Sequence, residues 1–292
     1  MSGQFSLDAL LPPEMAKKAE DVGVAKATKD LLYTLSSAIT AGAFIGIAFV
    51  FFTVVTTGGG ALPYGINRLI GGVCFSLGLM LVIICGGELF TSNVLTVVAR
   101  ASAKISGRQL LRNWAIVYLG NFIGAMGLVL IMFLTDHHAD ADGQVGINYL
   151  NIAQHKLHHS FIKAVALGIM CNVLVCLAIW MTFGARTATD KMVAVVLPVS
   201  MFIVAGFEHC IANMFEIPMA MMIQQLAADT FWQAAGANPA DYADLTWGRF
   251  IFNNLIPVTI GNIIGGGLLV GLTYWFVYRR PDLQKQDQQY PY

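Results

Sequence analysis

Six stretches of this chain run 20 residues or more with at most isolated charges, at 31–57, 69–99, 114–135, 164–183, 192–225 and 250–278. A helix that crosses a hydrocarbon core of about 30 Å needs roughly 20 apolar residues, so each stretch is long enough to span a bilayer. Only 12% of residues are charged, against about 25% in ordinary soluble domains. Disordered, collagen-like and small disulfide-scaffold chains are excluded. A nucleic-acid binder is disfavoured too, because 17 Lys+Arg cancel 17 Asp+Glu and leave no basic excess to meet phosphates. The expectation is an all-α polytopic membrane protein with six transmembrane helices. The second and fifth stretches are too long for one straight crossing and are expected to be broken.

The cations orient the spans. Six crossings put both termini and the loops near 99–113 and 184–191 on one side, and thirteen of the seventeen Lys and Arg fall there. Arg68, Lys156, Lys163 and Arg249 fall on the other side. By the positive-inside rule both ends are cytoplasmic. No early apolar core follows a basic segment, so no signal peptide is expected. Pro12 and Pro13 ahead of Glu14 suit a helix start, which predicts a cytoplasmic N-terminal helix within 1–30. That helix is expected to lie on the membrane surface or to serve as a gate or partner site. A membrane domain over 31–278 and a cytoplasmic tail over 279–292 complete the division.

The two halves repeat one another. Gly86-Gly87-Glu88-Leu89-Phe90-Thr91-Ser92-Asn93 in the second stretch aligns with Gly206-Phe207-Glu208-His209-Cys210-Ile211-Ala212-Asn213 in the fifth, sharing G-x-E-x-x-x-x-N. Gly120-Asn121-Phe122-Ile123-Gly124 aligns likewise with Gly261-Asn262-Ile263-Ile264-Gly265, a small-x-x-x-small pattern that lets helices approach closely. Three spans per half force opposite orientations, an inverted three-plus-three repeat whose interrupted helices meet near the midplane. Gly86, Gly87, Gly206 and Pro198 are the expected points of interruption.

Glu88, Glu208, Glu216 and His209 are ionisable groups inside the stretches. Each acid costs about 2.5–3.5 kcal/mol or more at the bilayer centre, so function or tight pairing must justify it. Glu88 and Glu208 follow glycine breaks, where a carboxylate can accept from the free N–H groups of a new helix. Asn93 and Asn213 close the two motifs as further anchors. His209 is set against Thr91 of the other half and is the strongest candidate for function, since imidazole titrates near neutral pH. His137, His138, His155, His158 and His159 cluster in one external loop and read as a solvated mouth. The five cysteines form no C-x-x-C pair and read as packing. No cofactor or metal is expected.

These motifs together resemble the formate/nitrite transporter family over nearly the whole chain. The resemblance implies an aquaporin-like protomer with broken helices two and five, and a homopentamer with one pore per protomer. It implies passage of formate and similar small monocarboxylates through a bacterial inner membrane, and no enzymatic activity. Nitrite or hydrosulfide is the alternative cargo. By the same resemblance Thr91, His209 and Asn172 form the pore centre. Phe75, Leu79, Leu89 and Phe202 form apolar constrictions, and Lys156 stands at the outer mouth. The N-terminal helix is implied as a pH-sensitive gate or as a docking site for a cytoplasmic formate-processing enzyme.

Desolvating an anion between phenyl and leucyl side chains is costly, so a proton taken up at His209 would let formate cross as formic acid, with Thr91 and Asn172 replacing lost water. A charged His209 acting as a static attractor is the competing route. Paired Asn-Pro-Ala motifs of a water channel are missing, since Asn93-Val94-Leu95 and Asn213-Met214-Phe215 stand there instead. An intramembrane enzyme would need a nucleophile–base pair, an acid dyad or metal ligands within the spans.

Overall fold

The computed structural model describes residues 9–289, and every regular element in it is helical. Residues 1–8 of the expected N-terminal segment and 290–292 of the tail lie outside the described residues. The chain runs α1 (Pro12–Thr28), α2 (Leu31–Thr56), α3 (Tyr64–Cys85), the short α4 (Phe90–Asn93) and α5 (Val97–Ala101), then α6 (Gly107–Leu134), α7 (Gln144–Leu157) and α8 (Phe161–Gly184). It continues through α9 (Ala188–Val204), α10 (Cys210–Leu226), α11 (Asp229–Ala235), α12 (Trp247–Arg249), α13 (Ile256–Ile263) and α14 (Arg280–Gln289). Wide π-type turns at Phe250–Leu255, Ile264–Leu272 and Trp275–Arg279 join α12, α13 and α14. α2, α3, α6, α8 and the composite Pro239–Gln284 helix are long and apolar enough to cross a membrane. Large apolar side chains such as Leu32, Leu134, Ile162 and Leu197 face outward, as expected of a membrane protein.

Helix pairs in the two halves pack by the same device. α2 lies along α6, and α8 lies along α13. At the first crossing a Cβ on Gly42 would run into the Asn121 carbonyl and one on Gly124 into the Ile39 carbonyl. At the second, Gly261 and Gly265 meet the carbonyls of Val165 and Ile169 in the same way. Glycine is therefore required by close backbone approach at both G-N-x-x-G motifs.

The apolar stretch 69–99 is two helical pieces separated by an extended link from Gly86 to Leu89, and 192–225 is divided by a link from Ala205 to His209. Gly86 and Gly206 take φ of 83° and 72°, backbone that other residues adopt only under strain. The expectation that Pro198 interrupts its helix is corrected, because α9 runs through it unbroken. One missing backbone donor is tolerable in a packed helix, whereas the helix has ended where Gly206 takes its positive φ.

α1 starts at Pro12 as expected, with the Leu11 N–H donating to Glu14 Oε2 at 2.8 Å. It packs on the body of the chain through Ala16, Ala19, Gly23 and Ala27.

Candidate functional site

Two links built alike converge on the centre of the fold. The Phe90 N–H, first of α4, donates to Asn121 Oδ1 at 2.9 Å, and the Asn121 amide donates to the carbonyls of Ala38 (2.7 Å) and Glu88 (2.9 Å). In the other half the Cys210 N–H donates to Asn262 Oδ1 at 2.9 Å, and Asn262 donates to the carbonyls of Gly168 (2.8 Å) and Glu208 (3.0 Å). Backbone freed by each break is thus satisfied by an asparagine from a neighbouring helix, as a buried polar group must be. These two asparagines stand in the repeated G-N-x-x-G motif, which signalled close packing but not this second task.

The carboxylates do something other than expected. Neither Glu88 nor Glu208 caps a helix start; both take side-chain donors. Glu88 receives Lys26 at 3.0 Å, Lys29 at 2.9 Å and Asn93 at 2.7 Å. Glu208 receives Lys156 at 2.9 and 3.0 Å and Asn213 at 2.7 Å. Asn93 and Asn213 each also donate to another asparagine, Asn113 of α6 at 3.0 Å and Asn254 of the Phe250–Leu255 turn at 2.7 Å. The anchoring role of Glu88, Asn93, Glu208 and Asn213 is therefore toward lysines and asparagines, because the Asn121 and Asn262 side chains already occupy the backbone donors. Burial by itself pushes Lys29 down, but the Glu88 carboxylate more than reverses this and holds the ammonium above its ordinary value. Glu216 stands apart, fully buried in α10, with neither carboxyl oxygen hydrogen-bonded among the described residues.

Three cavities follow one another along the links. One of about 270 Å³ is lined by Lys26, Lys29, Gly86, Gly87 and Glu88, with α1 forming part of its wall through Ala19 and Gly23. Another of about 430 Å³ is lined by Arg68, His155, Lys156, His159, Lys163 and Glu208. Between them a cavity of about 10 Å³, room for roughly one water, is walled by Phe75, Leu79, Leu89, Phe202 and His209 with aliphatic neighbours. The Phe75 and Phe202 rings meet edge to face at 5.8 Å, and Phe202 stacks on His209 at 6.0 Å.

His209 and Thr91 are brought together, both buried, with His209 Nε2 2.9 Å from Thr91 Oγ1. Sequence register pairs His209 with Leu89 rather than with Thr91, and both are extended residues that open a helix, with φ of −112° and −108°. The Ala212 N–H donates to His209 Nδ1 at 3.1 Å. A backbone N–H can only donate, so Nδ1 is the acceptor and the neutral ring carries its proton on Nε2. That Nε2–H donates to Thr91 Oγ1 and leaves the threonine hydroxyl proton free for another partner.

Asn172 spends both amide protons on scaffolding, donating to the carbonyls of Thr91 at 3.1 Å and Asn262 at 2.7 Å. It ties the halves together at the centre, and only its Oδ1 lacks a partner among the described residues. The picture of a solvated histidine mouth is corrected for two members. His138 is stacked on Phe133 and buried, and His159 is buried beside Glu208, because loop and helix fold over them. Among the described residues no group of three or more His, Cys, Asp or Glu is placed to hold a metal ion.

Comparison with known proteins agrees over nearly the whole length. Residues 13–276 match the family model described as formate/nitrite transporter. The chain is 55% identical over 280 residues to the formate channel FocA of Escherichia coli (strain K12), covering 96% of this chain and 98% of that one. It is 45% identical over 269 residues to the formate channel FocA of Haemophilus influenzae, covering 92% and 95%. A solved structure described as a pentameric formate channel with formate bound superposes with a TM-score of 0.82 at 58% identity, covering 85% of this chain and 98% of that one.

Proposed function

The chain belongs to the formate/nitrite transporter family, and from that premise we propose that it is a channel for formate and similar small monovalent anions in a bacterial inner membrane. The observation that carries this reading is the 55% identity, end to end, with a protein named a formate channel. In this reading six helical crossings form an inverted three-plus-three, aquaporin-like protomer within 31–278. Five protomers assemble, each with its own pore. The termini, within 1–30 and 279–292, lie in the cytoplasm. The matched asparagine and carboxylate anchors of the two links support the repeat. The surplus of cations on the α1 side supports the orientation.

The 270 Å³ cavity is then the inner vestibule and the 430 Å³ cavity the outer one, with Lys156 at the outer mouth. Phe75, Leu79, Leu89 and Phe202 are the constrictions around a centre made by His209 and Thr91, held in place by Asn172. With Nδ1 occupied by the Ala212 N–H, His209 is a neutral hydrogen-bond donor through Nε2 rather than a charged attractor. An uncharged centre between phenyl rings offers a bare anion no counter-charge, so the protonated, formic acid form crosses more cheaply. An imidazolium at His209 would set Nδ1–H against the Ala212 N–H, which disfavours the ring as the proton's carrier. α1, docked along the inner vestibule, is placed to gate it or to receive a cytoplasmic enzyme that handles formate.

Purified protein in liposomes should move formate, and voltage steps should draw little formate current compared with the chemical flux. Absence of formate flux above that of empty vesicles would overturn the channel reading. Formate current that accounts for the whole flux would overturn the acid route alone.

A further inference from the structure

The two link carboxylates are held by different sets of cations. Glu88 has two lysines, and Lys26 also donates to Asn93 Oδ1. Glu208 has one lysine, and the matching Asn213 Oδ1 is buried without a partner among the described residues. What stands near Glu208 in place of a second lysine is His159, whose Nε2 lies 3.8 Å from Oε1. That distance is too long for a hydrogen bond from a neutral ring, but it is short enough for strong attraction once the ring is charged.

Lys156 lies in the last turn of α7 and His159 two residues past its end, and both face Glu208 Oε1. We propose that His159 is a positioning residue of the outer vestibule: when it takes up a proton it draws Glu208 toward itself and loosens Lys156 into the cavity, where the ammonium meets the incoming anion. This rests on the formate-channel reading above. The groups facing His159 are His155 and Lys156 on α7, Lys163 on α8, Arg68 on α3 and Glu208 on the link before α10. His155 packs edge-on against it at 4.9 Å.

Burial holds the His159 imidazole well down, at about 4. Glu208 pulls upward, while Lys163, His155 and Lys156 push further down. His155 is depressed as well, by burial and then by Lys156. The pair is therefore uncharged at neutral pH, and the response belongs to the acid side of the ordinary histidine range. Among the described residues the inner vestibule has no such element, because the cationic partners of Glu88 there are both lysines. The two mouths of one pore thus differ in kind: a histidine stands beside the carboxylate of the outer one, and among the described residues none lines the inner one.

The test is formate uptake by proteoliposomes with luminal pH fixed and external pH lowered, corrected for protein-free vesicles. The wild-type ratio of acid to neutral uptake should exceed that of His159→Gln by about fivefold, the effect of one charge released at a cavity mouth. Equal ratios would overturn the proposal. Histidine-selective NMR of the protein in nanodiscs gives a second measurement that needs no transport. In Lys156→Met the His159 imidazole should titrate at higher pH than in wild type, since a repelling ammonium has gone. An unmoved midpoint would overturn the coupling. A wild type that carries no formate would sink the channel reading, while the NMR result would still decide whether His159 and Lys156 share Glu208.

Discussion

His209 Nε2 and Thr91 Oγ1 lie 2.9 Å apart, and the Ala212 N–H on the other ring nitrogen dictates the direction of that bond. The ring donates and the hydroxyl accepts, so the hydroxyl proton is left for another partner, which in the proposed channel is the permeant. Thr91→Val keeps the shape but strands Nε2–H without an acceptor, at a cost of about 1–3 kcal/mol. Formate uptake in proteoliposomes should fall about tenfold or more, a factor that 1.4 kcal/mol produces. Thr91→Ser, which restores the hydroxyl, should keep about half of the wild-type rate. Equal rates for valine and serine would show that the hydroxyl is idle.

Asn121 and Asn262 each make three hydrogen bonds to backbone, two to the groups a chain break leaves free and one to a carbonyl of a neighbouring helix. Replacing either by Leu removes about 1 kcal/mol per bond and leaves buried groups unpaired, so about 3 kcal/mol or more is lost. The temperature at which the detergent-solubilised protein unfolds should drop for both single variants by similar amounts. A large drop for one and none for the other would mean that the two breaks are not supported alike.

Much of this could be read in the sequence because membrane helices announce themselves by length and apolarity, and because glycine at Gly86 and Gly206 marks where they must stop. Pro198 marks no break, since a proline inside a helix forfeits one hydrogen bond and α9 continues through it. The partners of Glu88 and Glu208 were hidden for a different reason. Lys26, Lys29 and Lys156 are 62, 59 and 52 residues from the carboxylates they hold, and no local pattern joins them. Asn121 and Asn262 are visible as a repeat, yet the glycines beside them account for the motif by close packing alone, and nothing local marks the asparagines' task. The tautomer of His209 depends on one backbone N–H three residues onward, which only the turn of α10 brings into reach.

Gly124 and Gly127 occupy the same helix, α6, but a Cβ on Gly124 would strike the Ile39 carbonyl, whereas one on Gly127 meets nothing within 4 Å. Gly124→Ala should therefore force α2 and α6 apart, at about 1–3 kcal/mol or more of overpacking strain. Gly127→Ala should be neutral or stabilise by up to about 1 kcal/mol, because it relieves glycine's entropic cost in a helix. Yield of folded protein after solubilisation and its unfolding temperature distinguish the two. Equal behaviour would remove close backbone approach as the reason for the motif.

Arg279 clamps α1 to the end of the chain by two bonds to Glu20, from Nε at 2.8 Å and Nη2 at 3.0 Å, with both side chains buried. Arg279→Met strands the carboxylate, and losing one partner of a buried pair costs about 3–5 kcal/mol. α1 should then exchange its amide hydrogens many-fold faster, while exchange in α2 is unchanged. The pH dependence has a definite sign. Burial raises the Glu20 carboxyl, but its hydrogen bonds and charge pairing, led by Arg279, outweigh that and hold it below the usual carboxylate value. A depressed acid contributes stability above its unfolded pKa and loses it as pH falls through the folded one. Docking of α1 through this pair should thus be the same at about pH 7 and pH 5 and weaken below about pH 4. Exchange rates corrected for the intrinsic pH effect, compared between wild type and Arg279→Met, read this directly. Release of α1 in wild type already at pH 6 would mean that a group other than Glu20 controls it.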